Sequence, residues 1–480
     1  MSKSISRNYL YNVSYQVLTL LTPFITTPYL SRVLGPDGIG VYSYTTSIVS
    51  YFILFSTLGL SNYGQREIAY HRDDRYLQSR TFFELNLLRV FLVFFNLAVY
   101  YFVISFSAKD QIIYWIQALN IVAVLFDVSW FFQGLEEFGK IVFRNFVIKL
   151  LSIVLIFLLV RTSGDLNKYI ALLGSMNILS GISIWFYLPK YLVKVPPKEL
   201  QPFRNFKVII ELFLPQIAIQ IYTVLDKTMI GLITSSPFEN GYYEQAEKVV
   251  KLSLTVVTSL GTVVLPRVAY SFAKKQYDEI KRLMLKSYQF VWFLTIPMCL
   301  GLIGISGHFV PWFFGPAYTK VILLIQILSF LTIVIALSNV TGIQYLLPTN
   351  QQNLLTASVV CGSIMNFFLN LMLIKSHGSV GAAIASVAAE TVVTTVQFYF
   401  VRHVFRFIDV LKLSTKYWFA GILMLCVIHF VGTYLPADIL HTIELILLGA
   451  GIYTLSLIVL RDSMLLEVIN KLWSRLNYKG

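Results

Sequence analysis

Apolar residues fill windows of about 20 positions again and again along the chain, each long enough to cross a hydrocarbon core of roughly 30 Å as a helix. Fourteen such spans are readable, at 8–33, 38–62, 81–106, 111–133, 146–162, 167–189, 207–233, 242–266, 288–312, 320–347, 354–375, 379–401, 416–436 and 441–461. The connectors between them are short and leave little chain for a soluble domain. The pattern predicts an all-α polytopic membrane protein with about fourteen transmembrane helices.

Three spans break the apolar pattern along one face. In span one Asn8, Asn12, Tyr15, Thr19, Thr22 and Thr26 recur at helical offsets. In span seven Gln216, Gln220, Thr223 and Lys227 do so, with Asp226 beside them, and in span eight Glu244, Lys248, Lys251, Thr255, Thr258 and Thr262. Residues at these offsets share a helix face. A charge held at mid-helix against lipid costs about 2.5–3.5 kcal/mol on insertion scales, so these faces are expected to meet water in a cleft.

Composition agrees with the periodicity: 56% of the residues are hydrophobic, 13% are charged, and the mean hydropathy is +0.70. The formal net charge of +14 could suggest nucleic acid. Its distribution points elsewhere, because alternate loops collect 28 Lys and Arg while the opposite set collects 6. That asymmetry is a topology signal: the positive-inside rule puts both termini in the cytoplasm and leaves no nucleic-acid partner. Cys299, Cys361 and Cys426 lie in separate spans without metal or disulfide spacing. The basic start MSKSISR resembles a signal peptide, but the apolar run is too long and lacks a small-residue cleavage site. It is kept as span one.

The chain repeats itself. REIAYHRDDRYLQSR (66–80) aligns with PRVAYSFAKKQYDEI (266–280), and Gln133-Gly134-Leu135 after span four corresponds to Gln344-Tyr345-Leu346 after span ten. Two six-span halves in parallel pseudo-repeat are expected, 1–200 and 201–405, with spans thirteen and fourteen and a cytoplasmic tail in 406–480. Parallel repeats of even span number are related by an axis along the membrane normal, and such lobes can rock about a central cleft. The Pro-rich, charged stretch 190–207 reads as a solvated linker between them.

The intramembrane charges admit two readings. Asp226 with Lys227, Glu244 with Lys248 and Glu247 with Lys251 can neutralise one another and merely join helices. Alternatively Lys227, Lys248 and Lys251 form a cationic patch for an anionic ligand, where lysine acts as a point charge on phosphate. Arg32, beside a Gly-Pro turn, is either a snorkelling side chain or part of an exit site. Asp127 and Glu390 are acids in apolar surroundings, at roughly matching places in the two halves. They are candidates for coupling to H+ or Na+, with a neutral hydrogen-bonded carboxyl as the alternative. Arg89 could pair with either of them or with Glu84. Asn366 and Asn370 more readily hold helices together than bind a ligand.

GLEEFGKI (134–141) begins like a phosphate-cradling loop but has Ile141 where a hydroxyl should reach the metal, and no strand precedes it. The six histidines show no metal spacing, so neither an enzyme nor a cofactor is expected. Tyr42, Tyr44, Tyr222, Tyr242 and Tyr243 could offer faces to sugars.

PYLSRVLGPDGIGVYSYTTSIVSYF (28–52), STLGLSNYGQREIA (56–69), WFFQGLEEF (130–138) and LDKTMIG (225–231) resemble the Wzx-type polysaccharide flippases of O-antigen, capsule and exopolysaccharide pathways. These belong to the multidrug/oligosaccharidyl-lipid/polysaccharide flippase superfamily. The resemblance implies a multi-pass protein of the bacterial inner membrane. It further implies an undecaprenyl-pyrophosphate-linked oligosaccharide substrate, carried to the outer leaflet by alternating access with ion coupling. Membrane lipids would be its surroundings, and the polymerase and chain-length regulator of the same pathway its possible partners. Carried onto this chain, it favours Asp226 and Lys227, then Arg32, with weaker support for Lys248 and Lys251. Gln220 and Thr223 join the site from the stripe in span seven. Lipid II flippases carry arginines inside span one, whereas this span has none before Arg32 apart from Arg7 at its edge. A drug or metabolite antiporter of the MATE type is the alternative function, and a membrane scaffold without transport a third.

Overall fold

The computed structural model describes residues 2–107, 111–258 and 261–467, with side chains from Leu18 onward apart from 20, 107, 214–216, 218–219, 221–222, 256, 258 and 261–263. Of the predicted stripes and aromatic faces, Asn8, Asn12, Tyr15, Gln216, Tyr222, Thr258 and Thr262 lie outside the described side chains. The described residues form helices and turns without a strand. By packing, the chain forms two compact units, Met1–Thr228 and Met229–Gly480.

In the first unit, α1 (Ser2–Thr57) contains spans one and two, separated at Gly35, whose φ of 71° and ψ of 172° interrupt the helix just before Pro36. A side chain is strained at that φ, so glycine permits the bend. Leu58 and Gly59 then turn left-handed and stop the second span at Thr57, short of the expected 62. The short α2 (Leu60–Tyr70) and a tight turn lead into α3 (Arg75–Ser107). The fourth span is broken: α4 (Gln111–Ala123) ends in a 3-10 turn, Asp127 is extended, and α5 (Ser129–Gly134) completes the crossing. Helices α6 (Phe138–Leu159) and α7 (Leu166–Trp185) follow, α6 starting eight residues before the predicted 146.

Two stretches of the resemblance, STLGLSNYGQREIA and WFFQGLEEF, meet in this unit. A Cβ on Gly64 would lie 2.4 Å from Trp130 Cε3, and one on Gly134 would lie 2.7 Å from the Gln65 carbonyl oxygen. The two glycines therefore let α2 and α5 approach backbone to backbone. Around them Phe82, Leu88, Val128, Trp130, Phe131 and Phe132 are almost fully buried in one apolar cluster. The linker is tied down where free solvation was expected. Val193 N–H donates to Ser79 Oγ at 2.8 Å, Gln201 N–H donates to Glu84 at 3.1 Å, and Tyr76 donates to Glu199. Ile209 and Phe213 of α8 (Phe206–Thr234) join the same cluster, so the first unit extends through the start of span seven.

The second unit repeats the plan. Ser235 is left-handed (φ 51°) ahead of Pro237, two hundred positions after Gly35, and α9 (Pro237–Thr258) follows. The predicted span 242–266 falls on α9 and α10 (Gly261–Ala273), which leads through a turn into α11 (Tyr277–Phe313). Span ten is irregular like span four: α12 (Lys320–Leu328), α13 (Leu331–Ser338) and a π-helical stretch Asn339–Leu346. Helices α14 (Gln352–His377) and α15 (Ser379–Val401) form a closely packed pair. Small residues mediate that packing, with a Cβ on Gly362 falling 2.2 Å from Val393 Cγ2. After α16 (Phe407–Lys412), the appended spans α17 (Thr415–Gly432) and α18 (Ile439–Val459) bury Tyr417, Met424, Leu445 and Leu457 in a cluster with Tyr288 and Trp292 of α11.

By length and composition, eleven helices of the described residues can cross a membrane, one of them the kinked Leu21–Tyr70. Counting that one as two gives twelve among the described residues, and the predicted spans seven and eight fall on α8 and α9, whose side chains are described in part. Many apolar side chains on these helices face outward, among them Phe94, Phe102, Phe368 and Val459. Such a surface suits a lipid surround, where apolar exposure carries no penalty.

Candidate functional site

The LDKTMIG stretch occupies the last part of α8. Thr228 is 8% exposed and lies 3.0 Å from Ser47 Oγ and 3.1 Å from the Tyr51 hydroxyl, both on the second arm of α1. These contacts fix the register of α8 where the charges sit. Asp226 and Lys227 flank the anchor and are half-buried, and Asp226 acts electrostatically on Tyr51. One turn earlier Thr223 is exposed and donates to the Gln220 carbonyl at 2.9 Å, with Gln220 itself half-buried. Arg32 is exposed on the first arm of α1, just ahead of the Gly35 bend. The stripe in span one is not wet throughout. Thr22 and Thr26 are buried, and their hydroxyls return to the carbonyls of Leu18 and Thr22 in their own helix.

On α9 two ion pairs form one turn apart, Glu244–Lys248 at 3.3 Å and Glu247–Lys251 at 2.8 Å. The carboxylates are 10% and 13% exposed, whereas the lysines are 35% and 54% exposed. The acids therefore lie inward and the amines outward on one helix face. Pairs of this kind contribute about 0.3–0.5 kcal/mol each. An ammonium has three donors, so one bond to a carboxylate leaves others for an anionic ligand. Tyr243 is buried against Ser386 at 2.9 Å, and Tyr242 meets the Tyr318 ring edge-on, so both tyrosines pack within the unit.

The two acids singled out for ion coupling have unlike settings. Asp127 lies in the break between α4 and α5, exposed at an open cleft of the first unit, whereas Glu390 lies half-buried within the continuous helix α15. They do not occupy matching places, because α15 is the sixth span of its half and Asp127 is in the fourth. Arg89 is 2% exposed and donates to the Asp127 main-chain carbonyl. Its expected alternative partner, Glu84, instead pairs with Arg80 at 2.9 Å. Asn370 donates to Asn366 at 3.0 Å within α14, and both are fully buried. Lys140 of the GLEEFGKI stretch sits 4.4 Å from the centre of the Tyr191 ring and 3.5 Å from Glu137, in an aromatic setting unlike a phosphate loop. The described residues contain no cluster of His, Cys, Asp and Glu able to hold a metal.

Two constellations were not singled out from the sequence. Arg144 joins Asp127 and Arg89 through Ser129, and its only sequence signal was the short D-V-S step at the end of span four. Glu239 accepts two bonds at 2.7 Å from Lys320, one at 2.7 Å from the Ser379 backbone and one at 2.6 Å from the Ser379 hydroxyl. It joins α9, α12 and α15 at one end of the second unit.

Comparison with known proteins agrees with this architecture. The "Putative O-antigen transporter" of Escherichia coli (strain K12) is 24% identical over 410 residues, covering 83% of this chain and 97% of that protein. The solved structure of "Lipid II flippase MurJ, inward closed conformation" superposes with a TM-score of 0.71 at 18% identity, covering 95% of this chain and 99% of that one. An inward-facing "multidrug resistance MATE family transporter of the MOP superfamily" gives 0.62 at 11% identity, covering 82% and 95%. At these identities the structures establish the fold alone. The pattern of the family described as "Polysaccharide biosynthesis protein" matches residues 5–272, more than half of the sequence, and the chain belongs to that family, the Wzx-type flippases its motifs resemble.

Proposed function

We propose that this protein is a flippase that carries a lipid-linked oligosaccharide, specifically an undecaprenyl-pyrophosphate-linked repeat unit, from the cytoplasmic to the outer leaflet by alternating access. The observation that carries the reading is the family match over residues 5–272. Further support comes from the names borne by similar proteins, which include an O-antigen transporter and a probable glycan biosynthesis flippase of Haloferax volcanii, 26% identical over 173 residues.

The chemistry of the chain suits this task. Two phosphates crossing bare hydrocarbon would lose their hydration at a prohibitive cost, so a carrier must replace water with donors. Lys227, Lys248 and Lys251 supply ammonium groups, Arg32 a guanidinium, and Gln220 and Thr223 neutral partners. Asp226 sits beside Lys227 and limits how tightly the patch holds an anion, which favours release. The lipid tail stays in the bilayer throughout. A coupling H+ or Na+ is proposed to act at Asp127 or Glu390. A MATE-like antiporter is the second reading, favoured by the shared fold and by the acids Asp226, Glu244 and Glu247 beside the lysines.

Loss of the gene tests the reading directly. Cells lacking it are expected to accumulate lipid-linked repeat units with cytoplasm-facing headgroups and to lose surface polysaccharide, with plasmid-borne protein restoring both. Unchanged polysaccharide together with drug sensitivity would favour the antiporter instead.

A further inference from the structure

Span five carries a cation in its interior. Because α6 runs from Phe138 to Leu159, Lys149 stands at the middle of its 22 residues, about 16 Å from the helix start at 1.5 Å per residue. Val142 and Ile156, two turns before and after it, are 7% and 5% exposed. Residues seven apart lie nearly on one line along a helix, so Lys149 is on the packed side of α6. The opposite side presents Phe143, Val147, Val154 and Leu158, all between 44% and 57% exposed. A lysine snorkelling along the lipid surface would sit among those apolar residues, and Lys149 does not.

Lys149 is half-buried and makes no hydrogen bond or ion pair with any described residue. Acids of the first unit that pair with cations do so elsewhere: Glu84 with Arg80 at 2.9 Å, Glu137 with Lys140 at 3.5 Å and Asp165 with Lys168 at 2.6 Å. Near the other end of α6, Tyr29 of α1 donates to the Val160 carbonyl at 2.6 Å. Spans one and five, both odd-numbered crossings, run the same way. Stepping back eleven residues along each helix from that bond places Lys149 level with Leu18 and Thr19. Thr19 is exposed and belongs to the polar stripe of α1. An ammonium group within an apolar span is tolerated where it faces a hydrated interior or meets an opposite charge. No described acid supplies that charge, so a ligand is left to do so. We propose that Lys149 is a substrate-binding residue of the first unit, donating from its ammonium group to a phosphate oxygen of the lipid-linked oligosaccharide. The inference rests on the flippase reading and adds to it a cation to which neither the polar stripes nor the family motifs point.

A binding lysine and a lysine that steadies its helix differ in what their removal does to stability. Taking away a charge that has no partner in the chain breaks no internal contact, so Lys149→Met should leave the ligand-free thermal midpoint unchanged or raise it. The test uses the full-length protein in nanodiscs, with undecaprenyl pyrophosphate as the probe and binding followed by tryptophan fluorescence. Wild type is expected to bind saturably. Lys149→Met is expected to raise the half-saturating concentration about tenfold, as befits one charge-assisted bond to phosphate, and Lys149→Arg to keep it near wild type. No saturable binding by wild type, equal affinity in Lys149→Met, or a lowered ligand-free midpoint in that variant would each overturn the proposal. Surface polysaccharide in cells separates this outcome from the fate of the flippase reading. Export that depends on the gene but is untouched by Lys149→Met, with pyrophosphate binding equally untouched, removes Lys149 alone. Unchanged polysaccharide in cells lacking the gene removes the flippase reading, while binding weakened by Lys149→Met would still uphold the contact with phosphate.

Discussion

Lys227 sits on a stretch of α8 held in place by its neighbour. Thr228, its neighbour, is pinned to Ser47 and Tyr51, so the backbone that presents the Lys227 amine is fixed. Lys227→Ala should abolish surface polysaccharide while the protein still reaches the membrane at normal level, checked by immunoblot of membrane fractions. Thr228→Val keeps the shape but removes the hydroxyl bonds, each with a net contribution of about 1 kcal/mol. It should reduce polysaccharide export partially, and full activity would show that the anchor is dispensable. On α9 the arrangement of inward acids and outward amines predicts that Lys248→Gln with Lys251→Gln weakens export more than either change alone. Equal export in the double variant would mean that those lysines only steady their helix.

At the scale of helices, close approach carries much of the stability. Gly64 leaves no room for a methyl group against Trp130, so Gly64→Ala should lower the thermal midpoint of the purified protein by forcing α2 and α5 apart. Overpacking of this kind typically costs about 1–3 kcal/mol. Glu239→Gln should also lower the midpoint, because the neutral amide keeps only one acceptor oxygen for Lys320 and Ser379 and loses the charge that pairs with Lys320; an unchanged midpoint would remove it as a clasp. These element-level features were only partly legible beforehand. Spans such as 379–401 show their ends in hydropathy alone, since an apolar window between a glycine and an arginine has one way to fit a bilayer. The breaks in spans four and ten were not visible, because the extended Asp127 and the turn at Ser329-Phe330 interrupt the helix without interrupting the apolar run. Helix pairing was equally hidden, since the meeting of Gly64 with Trp130 joins positions far apart in the chain. Among the site residues, the ion pairs of α9 were readable from their i,i+4 spacing, whereas the cleft of Arg89, Asp127 and Arg144 gathers three helices that no local pattern connects.

For the whole molecule, membership of the polysaccharide biosynthesis family, the likeness to MurJ and MATE folds, and the internal repeat describe one kind of machine. The repeat is visible in backbone detail: Gly35 and Ser235 are both left-handed ahead of a proline, and α2 and α10 both lead by a turn into a long crossing. The protein is proposed to move the headgroup of a lipid-linked oligosaccharide between leaflets. The most direct measurement uses proteoliposomes whose polyprenyl-pyrophosphate oligosaccharide carries a radiolabelled sugar, with leaflet exposure read by an added glycan-modifying enzyme that cannot cross the bilayer. Wild-type protein should bring the inner pool of headgroups within the enzyme's reach, while Lys227→Ala leaves that pool protected. Protection of the inner pool with the folded wild-type protein present, under an imposed ion gradient as well as without one, would contradict the account.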